Sequence, residues 1–258
     1  MHLDNTETTS KSQNGFGFTS SILDGVGNET TYSLDSSHNI NKEPKFSVNS
    51  KNISFPSILV TNPQSLTNCF DEFKTMVENE EPDVITVSET WFSETKPARN
   101  FQLYEYHMFN DDREDGRRGG GVALFVKSNL QPTEPEIKVP RELECIWASI
   151  SNQVFLCGIY HPPRASTGSL LMDHLVNAIL DIRRRFKESI IIIMGDFNEL
   201  SRDRLYACLG VKNIVNEPTH GNSTIDLILT DNPDKYTNPK LLQPLGNSSH
   251  HCVFVKPK

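Results

Sequence analysis

The run Ile190-Ile191-Ile192-Ile193-Met194 is the feature that most narrows what this chain can become. Four consecutive β-branched residues favour extended backbone, and an unbroken apolar run suits a strand covered on both faces. A chain that buries such a strand needs a layer on either side of it. The run ends in Gly195-Asp196-Phe197-Asn198. Glycine permits a sharp exit, so the carboxylate and the carboxamide fall at the strand's C-terminal mouth, where α/β sheets commonly place their ligands. Asp can hold a proton or a metal, and Asn can donate to a phosphate oxygen. Ordinary strand-to-turn junctions draw on the same residue types. The weight therefore rests on what stands at the other strand ends.

Residues 57–61 carry the first strand pattern, followed by Asn62 and a turn at Pro63-Gln64. Ser65 stands where it can cap a helix running to about Asn79, with Leu66, Phe70, Phe73 and Val77 along one face. A strand over 84–87 then ends at Ser88-Glu89, which predicts a βαβ opening. Gly119-Gly120-Gly121 leads into a strand over 122–126. Strands over 145–150 and 154–160 flank Ser151-Asn152-Gln153, a hairpin turn, and Pro162-Pro163 stops the second of them. Residues 169–187 read as a helix with Leu171, Leu175, Ile179 and Ile182 or Phe186 inward. Arg183-Arg184-Arg185 near its end are expected on a solvated face favoured by the helix dipole. A short helix over 202–209 and strands over 227–230 and 252–255 follow. Many strands, few helices and hairpin links predict an α/β (α+β) fold of two mainly antiparallel sheets packed face to face, with helices outside.

The 258 residues suffice for one large domain plus a tail. Residues 1–52 are rich in Ser, Thr, Asn and Gly and lack an apolar run, so they are expected to be a disordered polar tail ahead of a folded domain over 53–258. No signal core, Arg-rich leader or membrane-spanning stretch is visible, which predicts an intracellular protein, nuclear or cytoplasmic, without a membrane partner. The five cysteines are scattered without a CxxC pair and are expected to be core or surface thiols. A net charge of −8 does not announce nucleic-acid binding. It does not exclude it, because metal ions and a local basic patch can meet phosphates.

Asn62, Glu89, Tyr160, Asp196, Asn198, Asp226 and His251 all stand beside predicted strands. Together they supply what phosphodiester hydrolysis requires: an oxygen ligand for a hard cation (Glu89), a group to orient water (Asp196), and an imidazole for the phosphate (His251) with a carboxylate to hold its tautomer (Asp226). Asn62, Asn198 and Tyr160 can orient the rest. His107, His161, His174 and His220 lack such context and are expected to be surface or loop histidines.

The ordered set Asn62-Pro63-Gln64-Ser65-Leu66, Ser88-Glu89-Thr90-Trp91-Phe92, Gly119-Gly120-Gly121-Val122, Tyr160-His161-Pro162-Pro163, Gly195-Asp196-Phe197-Asn198, Ser223-Thr224-Ile225-Asp226 and Ser249-His250-His251 resembles the endonuclease/exonuclease/phosphatase superfamily. Its wording is most similar to the apurinic/apyrimidinic-type endonuclease domain of LINE-like non-LTR retrotransposons. The resemblance implies a four-layer α/β sandwich and a DNA endonuclease. It implies Mg²⁺, with Mn²⁺ as a substitute, held by Glu89 with Asn62 beside it. It further implies Asp196 acting on the attacking water, Asn198 and Tyr160 holding the phosphate, and His251 contacting it with Asp226 as partner. In related full-length elements a reverse transcriptase domain follows. The family's last motif reads Ser-Asp-His, so aligning His251 with its histidine puts His250 where Asp is expected. That departure keeps open a weakened enzyme or a silent binding or scaffold protein, beside a phosphatase or phosphodiesterase acting on small phosphorylated molecules.

Overall fold

The computed structural model describes residues 19–23, 29–33, 54–113 and 119–258. The chain divides into two units, Met1–Lys45 and Phe46–Lys258. In the first, β1 (Thr19–Leu23) pairs antiparallel with β2 (Glu29–Ser33), where the sequence pattern shows no strand. The rest of the segment expected to be disordered lies outside the described residues.

The second unit runs β3 (Ile58–Thr61), α1 (Phe70–Glu80), β4 (Val84–Ser88), β5 (Tyr106–Asp111), β6 (Val122–Lys127), β7 (Pro132–Thr133), β8 (Glu144–Ile150) and β9 (Val154–Tyr160). It continues with α2 (Gly168–Arg185), β10 (Ile190–Asp196), α3 (Asp203–Leu209), β11 (Lys212–Asn213), β12 (Asp226–Thr230), β13 (Lys240–Leu242) and β14 (Cys252–Val255). One six-stranded sheet has the order β13-β14-β3-β4-β6-β5, the other β11-β12-β10-β9-β8-β7. Each contains a central parallel pair, β3 with β4 and β10 with β9, and every other pairing is antiparallel. Parallel neighbours need a crossover. Here α1 and α2 supply it.

Strand alternation builds the layers. Ile191 and Ile193 of β10 join the core beneath α2 and α3, whereas Ile190, Ile192 and Met194 enter the core between the sheets, with Ile58, Val60, Val84 and Val253. Phe73 and Val77 of α1 pack on Ile85, Val87 and Phe125 at the far side of the first sheet. The result is a four-layer sandwich of helix, sheet, sheet and helices.

The helix predicted from Ser65 is interrupted. Ser65 has φ 123°, Leu66–Asn68 form a 3₁₀ turn, and α1 begins only at Phe70. Ser151 and Asn152 both adopt left-handed φ values (54° and 52°) in the three-residue turn that joins β8 to β9. Arg183 corrects the expectation of a solvated arginine face: its half-buried guanidinium pairs with Asp231 at 3.1 Å and donates to the Leu209 carbonyl. Arg184 and Arg185 pair with Asp181 near the surface. All five cysteines are free, four of them buried. Among the described residues no helix is long and apolar enough to cross a membrane.

Candidate active site

The polar residues gather where the parallel strands of both sheets end. Register aligns Glu144 with Tyr160, Tyr160 with Asp196, and Asp196 with Asp226, so one rung across β8, β9, β10 and β12 carries these four side chains. Directly opposed residues project to the same face of a sheet. Asp196 stands two residues beyond Met194, which places it on the face toward the other sheet.

Gly195 allows the close approach of β10 to β9. A Cβ there would stand 2.0 Å from the Ile159 carbonyl oxygen, and the residue's φ is +138°. From the opposite sheet, the Ser88 hydroxyl donates to that same Ile159 oxygen at 3.0 Å and accepts the Asp196 amide at 3.1 Å. One side chain thus joins the ends of β4, β9 and β10.

Glu89 leaves β4 with a left-handed φ of 57°. Its carboxylate accepts from the Asn62 amide nitrogen at 3.0 Å and from the Trp91 indole at 3.1 Å. The same Asn62 nitrogen donates to Asp196 Oδ2 at 2.8 Å, while its oxygen accepts the Gln64 amide. Asn62 lies beside Glu89, and its side-chain nitrogen bridges the Glu89 and Asp196 carboxylates. Asn198, also left-handed (φ 45°), donates its backbone amide to Asp196 Oδ1 and its side-chain amide to the His161 carbonyl.

The histidine assignment is corrected. His250, not His251, meets Asp226: Nδ1 donates to Asp226 Oδ2 at 2.9 Å with both side chains buried. The His251 ring bonds the Leu242 carbonyl instead. Ser248 sets this path by donating to the Asn62 carbonyl while accepting the His250 amide. With His250 as the motif histidine, the position before it is Ser249, which is exposed.

Other contributors escaped the sequence. Thr219 is fully buried and its hydroxyl accepts the Ile225 and Asp226 amides. The His220 ring packs 4.4 Å from that of His250. Arg113 lies over the Tyr160 ring and pairs with Glu144, which also accepts the Gly121 amide. Of the histidines expected at the surface or in loops, His161 and His220 do lie in loops, but His161 is buried and the His220 ring packs on His250, while His174 is buried on α2 and accepts the Trp147 indole.

Electrostatics follow from burial. Loss of water, and then the Asp226 charge, push the Asp196 carboxyl up to about 7 against the opposing His250, Asn62 and Asn198. Burial alone would lower His250, but its bond to Asp226 and the charges of Asp226, Asp196 and Glu89 raise it. Tyr160 is raised by burial and by Glu89, Asp196 and Glu144.

The sequence profile of the Endonuclease/Exonuclease/phosphatase family matches residues 37–250, ending on His250. The chain belongs to the endonuclease/exonuclease/phosphatase family. Among solved structures it is similar to the 3′ phosphatase NExo from Neisseria bound to product DNA hairpin, at 14% identity and TM-score 0.61, covering 79% of this chain and 100% of that one. The endonuclease domain of TRAS1, a telomere-specific non-LTR retrotransposon, matches at 14% identity and TM-score 0.58 over 79% of this chain and 99% of its own. The AP endonuclease LMAP from Leishmania major matches at 11% identity and TM-score 0.58, over 77% and 86%. No curated protein sequence matches the chain. At these identities the structures establish the shared fold.

Enzymes of this family generally use divalent metal ions, and the residues present fit one. Ligand atoms of Asp196, Asp226 and His250 lie within 4.8 Å of one another. Asp226 Oδ1 is buried without a hydrogen-bond partner, an unmet demand for a donor or a cation. Glu89 adds a half-buried carboxylate joined to Asp196 through Asn62.

Proposed function

We propose that this chain is a divalent-metal-dependent DNA endonuclease of the retrotransposon type, hydrolysing a phosphodiester bond at the joined strand ends. The observation that carries the reading is the buried constellation in which Asn62 ties Glu89 to Asp196 while Asp226 holds His250. Glu89, with Asn62 beside it, would hold Mg²⁺ or Mn²⁺, which when bound neutralises charge gathering on the phosphate.

Asp196 takes a proton from the attacking water. A carboxyl raised to about 7 suits that work near neutrality, because a base is most effective when its pKa approaches the operating pH. His250, raised and fixed through Nδ1, presents Nε2 to the phosphate oxygens as a cationic donor. Tyr160, on the same rung as Asp196, and Asn198 hold the phosphate.

Ser249 stands where the family motif has Asp, and this favours a second reading: a weakened or silent derivative that binds DNA. Nicking of supercoiled plasmid in Mg²⁺ and in Mn²⁺ tests the first reading, with phosphate release from small phosphomonoesters measured alongside. Cleavage in either metal that chelation abolishes supports the endonuclease. DNA binding without cleavage supports the derivative, and phosphomonoester turnover alone refutes both.

A further inference from the structure

His161 follows Tyr160, and its burial has no structural partner to account for it. The side chain is only 5% exposed, and neither ring nitrogen has a hydrogen-bond partner. A buried imidazole left this way forfeits both a donor and an acceptor, which native interiors seldom tolerate. The ring lines a cavity of about 210 Å³ together with Tyr160, Ser166, Thr167 and Leu171.

One wall of that cavity is the start of α2. His161 Nε2 lies 3.5 Å from the point where a Cβ on Gly168, the first residue of α2, would stand. The first helical bond runs from the Leu171 amide to the Thr167 carbonyl, so the amides of Gly168, Ser169 and Leu170 precede it. The Thr167 side chain makes no cap hydrogen bond. An 18-residue helix beginning in this way presents donors and a partial positive charge to an oxyanion. Arg164 at the rim adds a full charge. Of the three carboxylates nearby, Glu144 is held by Arg113 and the Gly121 amide, Glu142 stands at the solvent side facing Arg141, and Glu199 accepts the Arg164 amide at 3.0 Å.

We infer that this cavity is a second phosphate subsite, in which His161 and the first turn of α2 bind a phosphate of the strand whose scissile group lies at Asp196 and His250. Tyr160 and Glu144 of the catalytic rung line the cavity themselves, and the His161 amide donates to the Asp196 carbonyl at 2.9 Å, so the cavity adjoins the rung directly. The choice of a strand phosphate rests on the endonuclease reading. The anion site itself stands on His161 and the helix alone.

The test uses the full chain labelled with ¹⁵N-histidine, without divalent cation. Imidazole nitrogen resonances are followed on adding inorganic phosphate and, separately, a short DNA duplex, with His161→Phe assigning the signal. Both additions should move the His161 resonances, and His161→Phe should weaken duplex binding about tenfold, the loss of one hydrogen bond to a charged group. Resonances unmoved by either addition overturn the subsite. Movement by phosphate in a protein that binds duplex without moving His161 keeps the anion site, assigns it to free phosphate and overturns the strand contact. Movement by phosphate in a protein that neither binds nor nicks DNA leaves the subsite standing while the endonuclease reading falls. Should His161→Phe fail to fold, His161→Gln assigns the resonance and the wild-type titrations decide.

Discussion

Replacing His250 and His251 separately by alanine should give very unequal losses. His250 is the hydrogen-bond donor to Asp226 Oδ2, and Asp226 Oδ1 already has no partner, so His250→Ala leaves a fully buried carboxylate with neither oxygen satisfied. Removing one member of a buried charge pair costs about 3–5 kcal/mol, because the survivor's desolvation is no longer compensated. At about 2–4 °C per kcal/mol for a domain of this size, the melting temperature should fall by roughly 6–20 °C. His251→Ala forfeits a half-exposed bond to the Leu242 carbonyl, about 0.5–1.5 kcal/mol. Urea unfolding of both variants measures the difference. His250→Gln, which retains a side-chain amide donor, separates function from fold in a plasmid-nicking assay. It should lose about 10²–10⁴ in rate, whereas His251→Gln stays near wild type. Equal losses, or a larger loss at His251, would refute the pairing and restore the alignment that places the motif histidine one residue later.

Glu89→Gln removes charge with little change of shape and should abolish metal-stimulated nicking while leaving the melting temperature near wild type; unchanged stimulation in Mg²⁺ sinks its proposed role. Asp196→Asn concerns pH. Because burial raises the folded carboxyl from 3.8 to about 7, the stability it contributes is present below pH 3.8 and lost as pH rises through 7. Without divalent cation the stability of the Asn variant minus that of wild type should therefore rise between pH 4 and 8, and a difference that falls with rising pH contradicts this. Ser249→Asp restores the carboxylate of the family motif and should raise turnover in Mg²⁺, measured against Mn²⁺ in parallel; a flat response in an already active protein makes the departure neutral. Deleting residues 1–45 should leave melting and nicking of the second unit unchanged, and a large fall in melting temperature would reveal a docked element.

Much of this architecture was legible because burial leaves a periodic trace. The isoleucine run announced a doubly covered strand, and its alternation now divides between two cores. The βαβ opening and the Ser-Asn hairpin were likewise local patterns with local causes. Among the site residues, Asp196, Glu89, Tyr160 and Asp226 stood out because each lies at or just past a strand end. His250 did not, since two adjacent histidines offer the same chemistry and only the turn at Ser248, tied to the Asn62 carbonyl, selects between them. Thr219, Arg113 and His161 were hidden for the same reason. Their surroundings are set by how loops and strands fold onto one another, which no periodicity in the sequence announces.

The place of β14 beside β3 governs when the candidate site is completed as the chain folds. Asn62 and Glu89 emerge early in translation and Asp196 much later, but His250 comes from the turn that leads into β14, the strand that returns to pair with β3. If the endonuclease reading holds, a chain folded only as far as β12 carries the carboxylates without the closing imidazole, and the site is complete only once β14 has paired with β3.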